Sequence, residues 1–352
     1  MKSSKNSSRK KALNALFYIR CQQHYTIGDS LVEVGEKAPD FKDILCWLNT
    51  DISSFGETGG SIRYIEFWDH TNFASLEAIQ FTKKIWEHYS TAGCMVIGVH
   101  SPEYEFERYE DNLQDALERY GITYPVAQDN NISTWLRYGN RFIPKQFLVS
   151  EDGTILYGHI GIGNELSVEK KIRAALGLTD EKYPAPLWEQ SGPKMPLIED
   201  VTSPIHFGLR QILSTKTPVR PGHEADLNLS NDGELLEGEI KFAGKWNRYD
   251  EYVELDATNN STLTISFYGK DVHMVVGSNT ETSRCAILID GSPLCADDAG
   301  KDISFEDQGR SSIIRISYSG MYHVASARSY ASHEITIIPC TEDVQIYSVT
   351  FS

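Results

Sequence analysis

No two of the six cysteines, Cys21, Cys46, Cys94, Cys285, Cys295 and Cys340, stand three residues apart, so the sequence contains no Cys-x-x-Cys. That absence excludes the usual dithiol arrangement, in which one thiolate attacks a disulfide and a second thiol resolves the product. The same spacings fit no zinc signature, and neither a metal site nor a cofactor is expected. Long apolar runs are missing as well. Residues 12–19 are apolar but interrupted by Asn14, too short to cross a bilayer, and no small-residue cleavage site follows them. The sequence therefore predicts no integral membrane segment and no signal peptide, and points to a cytoplasmic location. Positive charge is also in short supply. The balance of 33 Lys and Arg against 49 Asp and Glu gives a net charge of -16, which disfavours nucleic-acid partners held by phosphate neutralisation.

What is present suits two ordinary cores, with 352 residues, 40% of them hydrophobic. Seven of the thirteen prolines fall within 184–221. A proline-dense stretch cannot build sheet or helix interiors, so 179–221 reads as an extended linker. Residues 1–30 read as a flexible basic tail, with Lys2, Lys5, Arg9, Lys10, Lys11 and Arg20 and no acid before Asp29. The remainder divides into domains at 31–178 and 222–352.

The first domain carries a β-α-β pattern. Residues 62–68 begin with alternating apolar and polar side chains and break into a polar turn. Ala74, Ala78, Phe81, Ile85 and Tyr89 then recur at helical spacing, with Asn72 or Ser75 placed to cap the first turn. Residues 93–99 form a nearly continuous apolar run, as in a parallel strand covered on both faces. Shorter helices at 113–120 and 132–138, a strand at 124–127, a hairpin over 146–157 and a helix at 167–176 ended by Gly177 complete the pattern.

Several blocks of this domain carry a resemblance. They are Gly35-Glu36-Lys37-Ala38-Pro39-Asp40-Phe41, Phe67-Trp68, Gly98-Val99-His100-Ser101-Pro102-Glu103-Tyr104, Tyr124-Pro125-Val126-Ala127-Gln128-Asp129-Asn130, Tyr138-Gly139-Asn140-Arg141, Pro144 and Asp152-Gly153. In this order they resemble the redoxin domain of DipZ-type proteins, within the TlpA-like part of the thioredoxin-fold superfamily. The resemblance implies an α/β thioredoxin fold. It also implies that Asn72 and Ser75 occupy the positions of the two redox cysteines, and that Ile143-Pro144 is the cis-proline loop that presents backbone to an extended peptide. Trp68, Ile143 and Pro144 are the expected peptide-groove residues. DipZ-type proteins commonly carry a membrane-embedded electron-transfer module upstream, and no stretch of this sequence is apolar enough to be one.

Other constellations are weaker. Cys94 enters an apolar strand and Cys46 precedes Trp47-Leu48, so both read as packing residues. Cys285 and Cys295 flank the predicted Asp290-Gly291 turn and could face one another as a structural bridge. Asp69, His70 and Ser75 offer hydrolase residue types without an oxyanion elbow. His100 with Glu103 and Glu105 offers ligand types at close spacing, but the strand-to-loop motif already accounts for them.

The second domain shows short strand-like runs at 263–267, 272–276, 285–289, 313–318, 333–338 and 344–351, the pattern of an all-β, jelly-roll-like sandwich. Gly244-Lys245-Trp246, Glu251-Tyr252-Val253, Asp290-Gly291, Tyr322-His323-Val324 and the closing Tyr347-Ser348-Val349-Thr350-Phe351 resemble the carbohydrate-binding-like C-terminal module of DipZ-type proteins. Sugar sites place an aromatic ring under a pyranose and carboxylates at its rim, which makes Trp246, Tyr249, Tyr252 and Asp290 the possible glycan residues. Trp246 and Tyr252 also suit a sandwich core. The sequence thus predicts a redox-inactive thioredoxin-like scaffold that binds an extended peptide, a protein or a glycan. The alternative is a divergent thiol oxidoreductase or peroxidase using Cys46 or Cys94.

Overall fold

The computed structural model describes residues 32–52, 54–58, 62–163, 165–179, 201–209, 235–255, 261–280 and 283–352. The basic tail and most of the proline-rich stretch lie outside these residues, as does Cys21. The chain divides into two compact units, 1–194 and 195–352.

The first unit contains, in chain order, β1 (Trp47–Leu48), β2 (Ile62–Trp68), α1 (Phe73–Tyr89), β3 (Cys94–His100), α2 (Glu110–Tyr120), β4 (Val126–Gln128), α3 (Ser133–Arg137), β5 (Lys145–Val149), β6 (Ile155–Ile160) and α4 (Glu165–Ala175). Its mixed sheet has the order β1-β4-β3-β2-β5-β6, with β2, β3 and β4 parallel and β5 antiparallel to β2. All seven residues of β2 are buried, because both faces of the sheet are covered. Period-two alternation sorts them. Ile62, Tyr64 and Trp68 enter one core with Ile79, Ile85, Leu113, Leu117 and Ile172, while Ile65 and Phe67 enter another with Val99, Trp135, Tyr138 and Phe147. The Ile143–Pro144 peptide bond is cis, as the resemblance implied.

Glycine is required at one position of this sheet. A Cβ on Gly98 would stand 2.8 Å from Nε1 of Trp68, 3.0 Å from the Tyr124 ring and 3.2 Å from Val126. The indole of Trp68 therefore lies over the bare backbone of β3, and both residues are fixed by the contact.

The second unit contains β7 (Ile205–His206), β8 (Ile240–Ala243), β9 (Trp246–Arg248), β10 (Val253–Leu255), β11 (Thr262–Ser278), β12 (Ser283–Ile289), β13 (Ser292–Pro293), β14 (Ile303–Glu306), β15 (Ser311–Ile316), β16 (Gly320–Pro339) and β17 (Val344–Phe351). All its pairings are antiparallel. The first half of β11 pairs with β8 and the second half of β16, whereas its second half pairs with β17 and the first half of β16. The two long strands thus serve both layers of a sandwich. Phe242, Trp246, Ile265, Phe267, Met274, Ile287, Ile314, Ile337 and Val349 meet in one core.

Two sequence expectations change here. Residues 263–267 and 272–276 are not separate strands, because β11 runs through Tyr268-Gly269-Lys270 with a register shift at Gly269/Asp271. A Cβ on Gly269 would lie 3.3 Å from Cβ of Phe351, so glycine permits the bulge and bend that sequence reads as a turn. Residues 201–209 were expected in the linker, yet β7 pairs with β17 and Phe207 is fully buried in the sandwich core. The Arg248 side chain donates to the carbonyls of Phe207 and Gly208 at 2.7 and 2.6 Å, which anchors this segment.

Gly98→Ala is expected to destabilise the first unit by about 1–3 kcal/mol through overpacking against Trp68. Chemical denaturation followed by tryptophan fluorescence measures it, and an unchanged midpoint would show that the sheet can relax around the methyl group.

Candidate functional site

The loop between β2 and α1 carries the positions of interest. Asn72 is the N-cap of α1, with extended backbone angles, and its Oδ1 accepts the Ser75 N–H at 3.0 Å. The amide is thus spent on capping. Ser75 is fully buried, and its Oγ accepts the Asp69 N–H at 3.4 Å. The β2–β5 register, Phe67 opposite Lys145, places the loop of Ile143 and Pro144 at the same end of the sheet as residues 69–75. Ile143 is half-buried and Pro144 buried, while Phe142 beside them is 56% exposed. Trp68 was expected in the peptide groove, but it is fully buried over Gly98, with its ring centroid 5.2 Å from that of His100. An enclosed indole cannot touch a docked peptide, so Trp68 is a core residue.

Behind this loop lies a buried polar cluster that sequence reasoning did not assemble. Asp69 and His70 follow β2, His100 ends β3, and Glu107 projects from the short 3-10 turn Glu105–Arg108. All four are at most 1% exposed. Nδ1 of His70 is 3.1 Å from Nε2 of His100, and Nε2 of His70 is 3.6 Å from Oε1 of Glu107. Asp69 Oδ1 accepts the Thr71 N–H at 2.6 Å and the Thr71 hydroxyl at 2.7 Å, while Oδ2 accepts the Glu103 N–H at 3.0 Å. Glu107 Oε2 accepts the N–H groups of Glu103 and Tyr104, both at 2.7 Å.

Protonation follows from burial. Burial pushes the Glu107 carboxyl well above its ordinary range, and the adjacent Asp69 charge and hydrogen bond push it further. Burial also works against charge on Asp69, but its hydrogen bond with Glu107 and the two histidines hold it below the usual carboxylate range. The proton between the two acids therefore resides on Glu107. Burial, reinforced by His100, depresses His70 to about 3, and burial lowers His100 to about 4, so both imidazoles are neutral near pH 7.

The sequence had grouped His100 with Glu103 and Glu105. The structure uses only the backbone N–H of Glu103, and Glu105 instead pairs with Arg108 at 3.2 Å on the surface. Glu107 takes their place because the 3-10 turn directs it inward. The available signal was the β2–β3 pairing, whose register sets Trp68 opposite His100 and so brings the residues after β2 to the end of β3. The ring nitrogens of His70 face His100 and Glu107, so Asp69, His70 and Ser75 form no triad.

The described cysteines offer no activated thiol at this loop. Burial lifts Cys46 to about 11, with Glu110 adding to the effect, and its Sγ donates to Gln128 Oε1 at 3.2 Å. Burial in β3 lifts Cys94 to about 12. Cys285 and Cys295 are both free, the first buried and the second exposed with its thiol 2.8 Å from Asp298 Oδ2, so the bridge considered from sequence is not formed.

In the second unit the four possible glycan residues separate. Trp246 is 1% exposed, edge-on to Phe242 at 5.2 Å, and its Nε1 donates to the Ala243 carbonyl. A stacking platform needs an open ring face, so Trp246 belongs to the core and not to a platform. Tyr249 is 39% exposed and stacks on half-buried Tyr252 at 4.8 Å. Asp290, at the β12–β13 turn, lines a cavity of about 590 Å³ with His333, Phe267, Lys270 and Arg328. Its carboxylate is already engaged by the His333 ring at 2.7 Å and the Glu334 N–H at 2.8 Å.

Comparison with known proteins agrees with this architecture. Residues 34–157 match the AhpC/TSA family and residues 206–352 the thioredoxin-like C-terminal domain family. Protein DipZ of Mycobacterium tuberculosis is 30% identical over 285 residues, covering 76% of this chain and 38% of that protein. The chain therefore spans well under half the length of the DipZ relatives it matches. Thiol-disulfide oxidoreductase ResA of Halalkalibacterium halodurans is 26% identical over 159 residues, covering 45% of this chain and 84% of that protein. A thiol-disulfide isomerase structure from Corynebacterium glutamicum aligns at 21% identity and a TM-score of 0.35, over 40% of this chain and 98% of that one. With a redoxin unit followed by a β-rich C-terminal unit, the chain is a thioredoxin-fold protein. Within that class it is DipZ/TlpA-like, related to thiol-disulfide oxidoreductases. Among the described residues no helix is long and apolar enough to cross a membrane.

Two measurements follow from these placements. Glu66, fully buried in β2, accepts from Gln146 Nε2 at 3.2 Å, and burial raises its carboxyl from 4.5 to about 7. Between those values the folded state holds a proton that the unfolded state has lost, so this contribution to stability is full below about pH 4.5 and declines as pH rises through about 7. The loss is about 3 kcal/mol. Glu66→Gln is expected to be more stable than the wild type above pH 8 and to lose that advantage below pH 5, read from urea midpoints across the pH range.

Trp246→Ala is expected to destabilise the second unit by about 3–5 kcal/mol. An exposed-platform role for Trp246 would instead leave the melting temperature nearly unchanged.

Proposed function

We propose that this chain is a redox-inactive, thioredoxin-like binding protein that holds an extended peptide beside Pro144. The observation that carries this reading is the state of the α1 N-terminus, where thiol chemistry would need a thiolate. An amide caps the helix there, and a buried hydroxyl stands three residues on. Cys46 and Cys94 do not compensate, since burial holds both thiols far above neutrality. A carboxamide cannot attack sulfur, and a hydroxyl without a base is a poor nucleophile.

Peptide binding needs none of these groups. An extended segment is held by backbone hydrogen bonds at an open edge, with side-chain pockets setting preference. The Pro144 carbonyl accepts the Gly161 N–H at 2.9 Å, whereas the Ile143 N–H and carbonyl have no partner among the described residues. Exposed Phe142 beside them offers an apolar contact. The exposed Tyr249 with Tyr252, and the Asp290 cavity, are where a glycan would be accommodated on the second unit.

The test is insulin reduction with a dithiol supply. The wild type is expected to show no turnover above the dithiol alone, and Asn72→Cys with Ser75→Cys is expected to create it, because the helix N-terminus and the proline loop are in place. Wild-type turnover abolished by alkylation of Cys46 or Cys94 would overturn the reading in favour of a divergent oxidoreductase.

A further inference from the structure

The structure offers a ligand set that the binding reading leaves unused. We propose that His70, His100 and Glu107 form a binding site for one zinc-like divalent cation, buried beside the loop that leads into α1.

The donor chemistry comes first. Two imidazoles and one carboxylate are a set that borderline divalent ions take with a fourth position left for water, and the three donor atoms here lie within 4.8 Å of one another. They come from three separate segments, the loop after β2, the end of β3 and the 3-10 turn, so the fold itself gathers them. A buried cluster of this kind differs from a surface group of acids, where solvent satisfies each oxygen.

The second observation is independent of the donor types. Nε2 of His70, the nitrogen that faces Glu107, is buried and has no hydrogen-bond partner among the described residues. Leaving a buried polar atom unsatisfied costs about 1–3 kcal/mol, and such atoms call for an occupant. The separations fit an ion better than they fit a hydrogen bond. Nε2 of His70 stands 3.6 Å from Oε1 of Glu107, too far for hydrogen bonding, whereas two donors about 2.0–2.2 Å from a shared tetrahedral ion stand roughly 3.3–3.6 Å apart. The 3.1 Å contact joins Nδ1 of His70 to Nε2 of His100, so an ion held between Nε2 of His70 and Glu107 asks the His100 ring to shift, and donors spread over up to 4.8 Å must close by roughly an ångström. The outer shell already exists, because Glu107 Oε2 is oriented by the N–H groups of Glu103 and Tyr104.

The experiment uses the full chain, stripped with a chelator and then supplied with zinc by two routes, addition to the native protein and refolding in its presence. Each sample is desalted and its zinc measured by mass spectrometry. About one zinc per chain is expected by at least one route, together with a higher melting temperature, and cobalt is expected to give the intense visible bands of a tetrahedral site. His70→Gln and His100→Gln are each expected to weaken zinc retention by about tenfold or more. His333→Gln, which alters the surface His333–Asp290 pair, is expected to leave it unchanged. Less than about a tenth of a zinc per chain by both routes, or undiminished zinc in the folded histidine variants, would overturn the site. Should those variants fail to fold, the wild-type cobalt spectrum decides, and the absence of tetrahedral bands overturns it equally.

Discussion

The site depends on the Asp69 carboxylate. It receives the N–H and hydroxyl of Thr71 on one oxygen and the N–H of Glu103 on the other, and it is hydrogen-bonded to Glu107. One buried group thereby ties the loop after β2 to the turn after β3. Removing it would leave several buried donors unpaired at once, each with its own desolvation cost.

The start of α1 is complete without a dithiol. Asn72 caps α1 through its Oδ1, and Ser75 fills its buried position while accepting the Asp69 N–H. Both residues serve the helix start, so an α1 N-terminus without cysteines is well formed. Trp68 and Gly98 are a further structural element of the same region. The indole packs across bare backbone and walls off the histidine pair from the side of the sheet. Asn72, Phe73 and Ala74 at the start of α1 and Phe142 and Ile143 in the proline loop remain accessible at this end.

The two units bury their polar groups differently. The first encloses ionisable residues in its sheet and loops, with Glu66, Asp69, His70, His100 and Glu107 all sealed from solvent. The second builds a mainly apolar core between bent strands and leaves most of its ion pairs, such as Arg284 and Arg315 with Glu306, near the surface. Surface pairs of this type contribute little, roughly 0–1 kcal/mol each. Stability of the second unit therefore rests on packing, with Trp246 and Phe207 at its centre.

The sequence by itself determined most strands and helices of the first unit, because apolar periodicity and the caps at Asn72 and Gly177 are local signals. It also determined the absence of a dithiol, since that is a matter of residue identity. It failed where a residue's neighbours come from distant segments. Trp68 looked like a groove residue and Trp246 was open between platform and core, because a tryptophan's exposure depends on what packs over it, and those partners, Gly98 and Phe242, belong to other strands. Tyr268-Gly269-Lys270 carries the composition of a turn, and only pairing with β16 and β17 makes it a bulge. The cluster of Asp69, His70, His100 and Glu107 was decided by tertiary structure alone. Parallel pairing of β2 with β3 joins residues thirty apart, and a single 3-10 turn selects Glu107 over its neighbours Glu103 and Glu105.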